Sequence, residues 1–467
     1  MGHPLLVTGI AVGFRGRLHL ALTAVLLLLV RGPDAAAAQP KAFNVRDYGA
    51  RGDGRTLDTA AINRAVEACA AAGGGRVVLP PGRYLSGTVY LKSNVELMLD
   101  AAATLVGSKD LADYKSKQSP WHRALLLGDG AQNVRILGQG AIDGNRVFDP
   151  HGEEQMRGPH TIVLDHCRDV TIRDLAIKDS GNYAIFFELS DRVQIRNVKI
   201  SGGWDGVHFR GSREQPCRDV TIADCRFATG DDSIAGRYWE RVRVSNCALN
   251  SSCNCVRLIG PATHLTIEKC RMYGPGEHPH RTSNRRNCLA GLNLQPGSWD
   301  GTQGRLDDVT IDDITMQNVA TPFHFVLKPG NTAGRVTVSR VKATGVYFAA
   351  ASVESWAETP WEDVTFRDLV IEFAGGGKRD DARQPVRAPG NDCRPLPAWG
   401  FYLHNVKNLT LDHVRLSCVK PDLRPVLVAD RVERLVLSDV PLPQAPGAEP
   451  PLVLRDVKHL DRRDGPP

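Results

Sequence analysis

Along most of this chain, short alternations of apolar and polar residues recur at a nearly fixed spacing. Segments such as CRDVTIRDLAIKD, SDRVQIRNVKISG, CRDVTIADCRFAT, WERVRVSNCALNS and ATHLTIEKCRMYG hold short runs in which every second residue is apolar, broken by Asp, Asn or Gly. Alternation with period two marks a strand with one buried face. The first apolar residue of each unit serves as an anchor: Val170, Val193, Val220, Val242, Leu265, Val309, Val336, Val364, Leu409 and Leu435. Successive anchors lie 22 to 28 residues apart except at two long steps, 44 from Leu265 to Val309 and 45 from Val364 to Leu409. Each long step leaves room for an unmarked coil, NCLAGLNLQ at Asn287–Gln295 in the first and WGFYLHNV at Trp399–Val406 in the second. A strand-bearing repeat of this length predicts a solenoid in which each coil rests on the last. Leucine-rich repeats would need a helix or a fixed Leu/Asn frame, and propeller blades a period of roughly 40–50 residues. The predicted fold is all-β, a single-stranded right-handed parallel β-helix forming one long domain.

The residues before the repeat read differently. Asp58 to Ala72 carries Ile62, Val66 and Cys69 at helical spacing, Asp58 is placed as N-cap, and Gly73–Gly75 ends the run. Arg76–Leu79 and Thr88–Leu91 then read as strands. A short capping helix ahead of many strands suits a cap, over residues 42–100, on the open end of the sheet. The solenoid domain is expected over 42–440, with a surface loop at Gly375–Asp392 and a loosely ordered tail at 441–467. At the other end, Arg15 and Arg17 precede the apolar run Leu20–Val30, and small residues follow at Ala35–Ala38. That order predicts a signal peptide over residues 1–38, cut near Ala37 or Ala38, with an uncleaved anchor as the alternative. The expected location is therefore secreted or periplasmic.

Charge and cysteine content narrow the function. A formal net charge of +6 over 467 residues, with no Lys/Arg block, argues against nucleic acid and permits an anionic substrate. Cys225, Cys247 and Cys270 follow the repeat period, so they are expected to stack as a ladder of free buried thiols. The Cys253-x-Cys255 pair has no second ligand pair at a zinc-site spacing.

Residues at equal offsets from the anchors should stack in columns about 4.7–4.9 Å apart. Twelve residues after successive anchors stand Asn182, Asp205, Asp232, Asn254 and Glu277, with Asp231 beside Asp232. Fifteen residues after them stand His208, Arg257 and His280. Asn/Asp ladders that satisfy turn amides are the structural alternative, and it suits Asn182 and Asn254. Three aspartates in one place suit glycoside hydrolysis, which needs one carboxylic acid to protonate the leaving oxygen and a second carboxylate to attack or to activate water. Crowding them raises the pKa of at least one and keeps a proton available.

WDGVHF…ATGDDSIA (Trp204–Phe209, Ala228–Ala235) resembles the NTDG…TGDDC motif pair of the polygalacturonases, family 28 of the glycoside hydrolases. FNVRDYGARGDGRTLDTAAINRAVEAC…GGGRVVLPPGRYLSG resembles the cap of the same family. The resemblance covers about residues 42 to 440 and implies an inverting hydrolase of pectin-type polysaccharide that uses no metal or cofactor. It implies Asp231 as general acid, with Asp205 and Asp232 holding the attacking water. Gly203 and Trp204 replace the usual Asn and Thr. Cys255 falls where the family has a histidine near the acid, and Asn293 and Gln295 fall where an Arg and a Lys hold the uronate carboxylate. An uncharged pair cannot replace two cations in that role. The implied substrate choice is altered, towards a neutral or branched plant or microbial polysaccharide, unless Arg257 or the His/Arg-rich loop Gly276–Asn287 supplies the clamp by another route and the substrate is galacturonan.

Substrate contacts are thus expected from His208, Arg257, Asn254, Glu277, His280, Asn293 and Gln295, in a monomer. Two other functions fit the same residues. A lyase would hold calcium with Asp205, Asp231, Asp232 and Glu277 and use Arg257 as base. A non-catalytic carbohydrate-binding β-helix would account for the lost histidine and the lost cations.

Overall fold

The computed structural model describes residues 41–116 and 119–463; the leader expected at 1–38 lies outside them. The chain is a right-handed parallel β-helix, with every named strand pairing parallel to its neighbours in the coils before and after. The anchors sit in register. Val170 pairs with Val193, Val220 with Val242, Val242 with Leu265 and Leu265 with Val309. Val309, Val336, Val364, Leu409 and Leu435 continue the same file.

Because Leu265 and Val309 are direct partners, no coil fits between them, and the same holds for Val364 and Leu409. The unmarked coils expected at Asn287–Gln295 and Trp399–Val406 are therefore not extra turns. Ala290–Leu294 is the last strand of the coil that begins at Ala262, and it pairs with Asn254–Leu258 and Phe323–Leu327. Phe401 to His404 pair with Ala351 to Glu354 in the same way. The surplus residues form two loops, 274–289 and 376–400, and both loops reach one place on the surface.

One turn of each coil is made by a left-handed residue four places after its anchor. Asp174, Asn197, Asp224, Asn246, Lys269, Asp313, Arg340, Asp368 and His413 have φ between 49° and 65°. Asn and Asp adopt this conformation more readily than other residues with a Cβ, which explains the Asp/Asn breaks in the repeat. Side chains continue the file outside the coil, as where Asn197 Nδ2 donates to Asp174 Oδ1 at 2.9 Å. The residue after each turn points inward, and there Cys225, Cys247 and Cys270 form a buried file of free thiols. Phe187, Phe209 and Trp239 stack through the interior with ring centroids 4.7 and 4.2 Å apart. Burial of each such ring contributes ~1.5–3 kcal/mol.

The helix spans Thr59–Ala71 and covers the first coil with Ala61, Ile62, Ala65, Val66 and Cys69. Asp58 stands at its N-cap position but caps nothing, since its carboxylate accepts from the amides of Arg51 and Gly52 at 2.8 and 3.0 Å. A strand at Gly82–Ser86, unread between the two expected ones, pairs with Ala103–Gly107. The expected tail is ordered for much of its length: Leu452–Arg463 pairs along Leu427–Ser438 and adds a last strand. Its residues stay half-buried or exposed because no later coil stacks on them. Among the described residues no helix is long and apolar enough to cross a membrane.

Candidate active site

Four parallel strands, Ile185–Glu188, Val207–Arg210, Ile234–Arg237 and Asn254–Leu258, form the floor of the site. Asn182, Asp205, Asp232 and Asn254 stand at or just before their starts. The file is fixed by backbone bonds, with Ala184 donating to the Asp205 carbonyl at 2.9 Å, Gly206 to Asp232 at 3.0 Å and Ser233 to Asn254 at 3.0 Å. The next position is Ala290 rather than Glu277, because the 274–289 loop leaves the coil before the file is reached. One row further in, Phe186, His208, Ala235, Arg257, Asn293 and His324 stack in register. His280 is not in that row; the loop carries it to the site from outside.

Asp205 Oδ1 accepts the Asp232 amide at 3.2 Å, and its Oδ2 lies 2.7 Å from His208 Nδ1. Arg210 Nε donates to His208 Nε2 at 2.9 Å, which assigns the ring proton to Nδ1 and makes His208 the donor to Asp205. Tyr183 stacks on the same imidazole at 4.5 Å and holds its plane. Asp232 Oδ1 accepts from the amide and Nδ2 of Asn254 at 3.0 and 2.7 Å, and Arg257 Nη1 stands 3.8 Å from its Oδ2. Asp231 Oδ2 faces Arg157 Nη2 at 3.3 Å and His280 Nε2 at 3.7 Å. All of these groups except Asn254 line a pocket of about 440 Å³; Asn254, expected as a substrate contact, lies buried behind Asp232 instead.

The three carboxylates are not equivalent. Burial, with the charges of Asp231 and Asp232 behind it, holds Asp205 well above the usual carboxylate range. Burial also leaves Asp232 raised, although Arg257 pulls the other way. Burial works against Asp231 as well, but His280 and then Arg157 outweigh it and hold that carboxyl below the usual range. Burial, followed by Arg210 and Arg237, pushes His208 well below the usual imidazole range, so it is neutral. In the unliganded site the proton is thus favoured on Asp205, whereas the family resemblance implies Asp231 as the acid. Like charges this crowded titrate as a group, and a bound anion redistributes the proton among them.

The structure reassigns several expected residues. Cys255 faces the interior, 3.6 Å from Cys288 Sγ, and Cys253 lines the pocket instead. Burial, then Asp232 and Asp231, raises the Cys253 thiol well above its usual range, which favours its neutral form. Asn293 and Gln295 are buried under the second loop, donating to the carbonyls of Asn391 and Gly390 at 3.2 and 2.6 Å, and do not line the pocket. Glu277 lies outside the site, bound to Arg226 Nη2 and Tyr273 Oη at 3.0 Å each. Glu277→Gln is accordingly expected to leave kcat/KM within about twofold of the parent and to cost only the ~0–1 kcal/mol of stability that exposed pairs contribute. A larger loss in steady-state kinetics would return Glu277 to the site.

Arg157, Tyr183, Arg210, Trp299 and Asp392 line the pocket without having been expected from the sequence, and Arg285 reaches it from the His/Arg-rich loop that was. Arg157, Trp299 and Asp392 lie in segments that carry no repeat, whereas Arg210 ends a repeating strand, in register with Glu188 and Arg237. One signal was present: Trp204, in place of the usual Thr, is fully buried and carries the Arg157 guanidinium 3.8 Å above its ring. Gly203 before it has φ 74°, a left-handed bend that brings Asp205 into the file. Potential ligand atoms of Asp231, Asp232 and Cys253 lie within 4.8 Å of one another. That set does not fit calcium, since one donor is a neutral thiol and Arg157, Arg257 and His280 already face the two carboxylates.

Comparison with known proteins supports the fold. Residues 42–252 match the family described as rhamnogalacturonase A/epimerase, pectate lyase-like. The chain is 30% identical over 260 residues to an exo-poly-alpha-D-galacturonosidase of Dickeya chrysanthemi, covering 42% of each chain. It is 25% identical over 386 residues to a polygalacturonase of Gossypium barbadense, covering 75% of this chain and 88% of that protein. The chain spans about half the length of the leading curated relatives. Among solved structures, a hyperthermoactive exopolygalacturonase of Thermotoga maritima shares the fold, with TM-score 0.60, 21% identity and coverage of 81% of this chain and 93% of that one.

Proposed function

We propose that this chain, a pectin-lyase-fold protein of the polygalacturonase-like family 28 type, is an exported glycosidase that hydrolyses a uronate-containing, pectin-type polysaccharide with inversion. The observation that carries the reading is the stacked Asp205, Asp231 and Asp232 in one pocket with the guanidinium groups of Arg157, Arg257 and Arg285. Asp205 and Asp232 hold the attacking water and share a base's role, with His208 orienting Asp205. Asp231 protonates the leaving oxygen. On substrate binding the proton favoured on Asp205 passes to Asp231, because a uronate carboxylate drawn to Arg157 and His280 offsets the charges that keep Asp231 ionised, and Asp205 is left ionised to act as base. The cations missing at Asn293 and Gln295 are thus replaced from two segments outside the repeat, Gly152–Arg157 and the 274–289 loop.

Reducing-sugar release from polygalacturonate, its methyl ester and neutral polysaccharides, each with and without EDTA, tests this. Release that is insensitive to chelator and highest on the free uronate is expected. An unsaturated, ultraviolet-absorbing product lost with EDTA would make the protein a lyase. Binding without release from any polymer would make it a carbohydrate-binding β-helix.

A further inference from the structure

Side chains on the outer face of a parallel β-helix sheet normally line an open cleft along the coil axis. Here the row through the active site is roofed on both sides of it. Before the site, outward-facing Val163, Phe186 and Tyr183 are buried. Trp121 stands edge-on to Phe186 at 5.0 Å, and Arg157 lies 5.5 Å over Tyr183 and reaches Asn182 at 3.5 Å. After the site, the row runs through Asn293, His324, Ser352, Tyr402 and Val428, and every one of these is buried.

The roof on that side is the second long loop. It is latched where Gln295 Nε2 donates to the Gly390 carbonyl at 2.6 Å and Ser298 Oγ to Asn391 Oδ1 at 2.9 Å. Lys328 Nζ donates to the Pro389 and Gly390 carbonyls, and Arg394 grips the fully buried Glu354 through two bonds of 2.9 and 2.6 Å. Val386, Leu396 and Ala398 of the same loop pack on Tyr402 and Val428. Among the described residues, only the pocket over His208, Ala235 and Arg257 remains between the two roofs, with Trp299, 68% exposed, on its rim 5.5 Å from Arg257.

We infer that the site takes only the end of a polysaccharide chain: the Pro389–Arg394 strap and the Gly152–Arg157 segment block both directions along the sheet, and the chain leaves outward past Trp299. The inference rests on the proposed uronate-polysaccharide reading and specifies its substrate as chain termini. A linear polymer threaded along the sheet would have to displace the latch at Gln295, Ser298, Lys328 and Glu354. An end-on chain displaces nothing, and the exposed indole offers a face to a following sugar ring.

Viscosity and reducing ends of long-chain polygalacturonate are followed together with the full protein, and early products are sized. Viscosity is expected to hold near its starting value while reducing ends accumulate, with the shortest products present from the start. Rapid loss of viscosity with a ladder of mixed oligomers would overturn the inference and leave the hydrolase reading intact. Absence of hydrolysis would overturn the hydrolase reading; the end-binding claim is then decided by titrating equal masses of short and long polygalacturonate. Affinity per unit mass that rises in proportion to the number of chain ends supports it, and affinity independent of chain length overturns it. Gln295→Ala combined with Ser298→Ala, which loosens the strap without touching the carboxylates, is expected to shift products towards mixed oligomers. An unchanged profile in that folded variant would remove the strap from the explanation.

Discussion

Asp231→Asn is expected to lower uronate-polymer hydrolysis by about 10²–10⁴-fold, the usual cost of losing a general acid or base. Asparagine keeps the shape of the side chain and can still accept from Arg157 and His280, but it has no proton to give the leaving oxygen. The fold is expected to survive, because Arg157 retains Glu154 Oε1 at 2.6 Å and the face of Trp204. The file of backbone bonds through Asp205, Asp232 and Asn254 does not involve the Asp231 side chain. Initial rates with circular dichroism as the control check this. Activity in the variant above a tenth of the parent's would mean that Asp205, whose proton is favoured in the unliganded site, is the acid.

Arg157→Ala is expected to affect both activity and stability, with a pH signature. The guanidinium and Asp231 are 6% and 13% exposed, so their pairing is little screened, and removing one member of such a pair costs about 3–5 kcal/mol. The sign follows from the direction of the Asp231 shift. Its folded pKa is depressed, so its contribution to stability is present above the ordinary aspartate value of 3.8 and is lost as pH falls through the folded value. Without Arg157, burial gains on His280 and the folded pKa moves up, towards and past the unfolded one. That contribution then shrinks, and once the order reverses, stability falls as pH rises. The difference in Tm between parent and variant is therefore expected to be widest near pH 7 and to narrow progressively as pH falls below the ordinary aspartate value. A difference that stays constant with pH would mean that Arg157 acts by packing on Trp204 alone. On substrate, KM for the uronate polymer should rise more than KM for its methyl ester, since the lost group is a cation.

The fold was legible because its determinants are local and repeated. Alternating apolar residues, one Asp or Asn per turn and a near-constant period specify a coil, and stacking copies of the coil needs no further information. The same regularity made the Asp205–Asp232 file readable, since equal offsets land on equal positions as long as each coil has the same length. Glu277 and His280 were misplaced by the same rule, because the coil that holds them carries a loop the count cannot see.

What the sequence alone determined, then, is the right-handed solenoid, its helical cap, its thiol file and the three stacked aspartates. Tertiary structure decided what surrounds them. Chain length at the two long steps is compatible with either an extra coil or a loop; only the register pairing of Leu265 with Val309 and of Val364 with Leu409 excludes the coil. The loops released in this way carry His280, Arg285 and the Pro389–Arg394 strap across many residues of sequence to one pocket. Arg157 arrives from a segment with no period at all and finds its place through the face of Trp204. Contacts of that kind depend on shape and charge meeting in space, and no spacing along the chain records them.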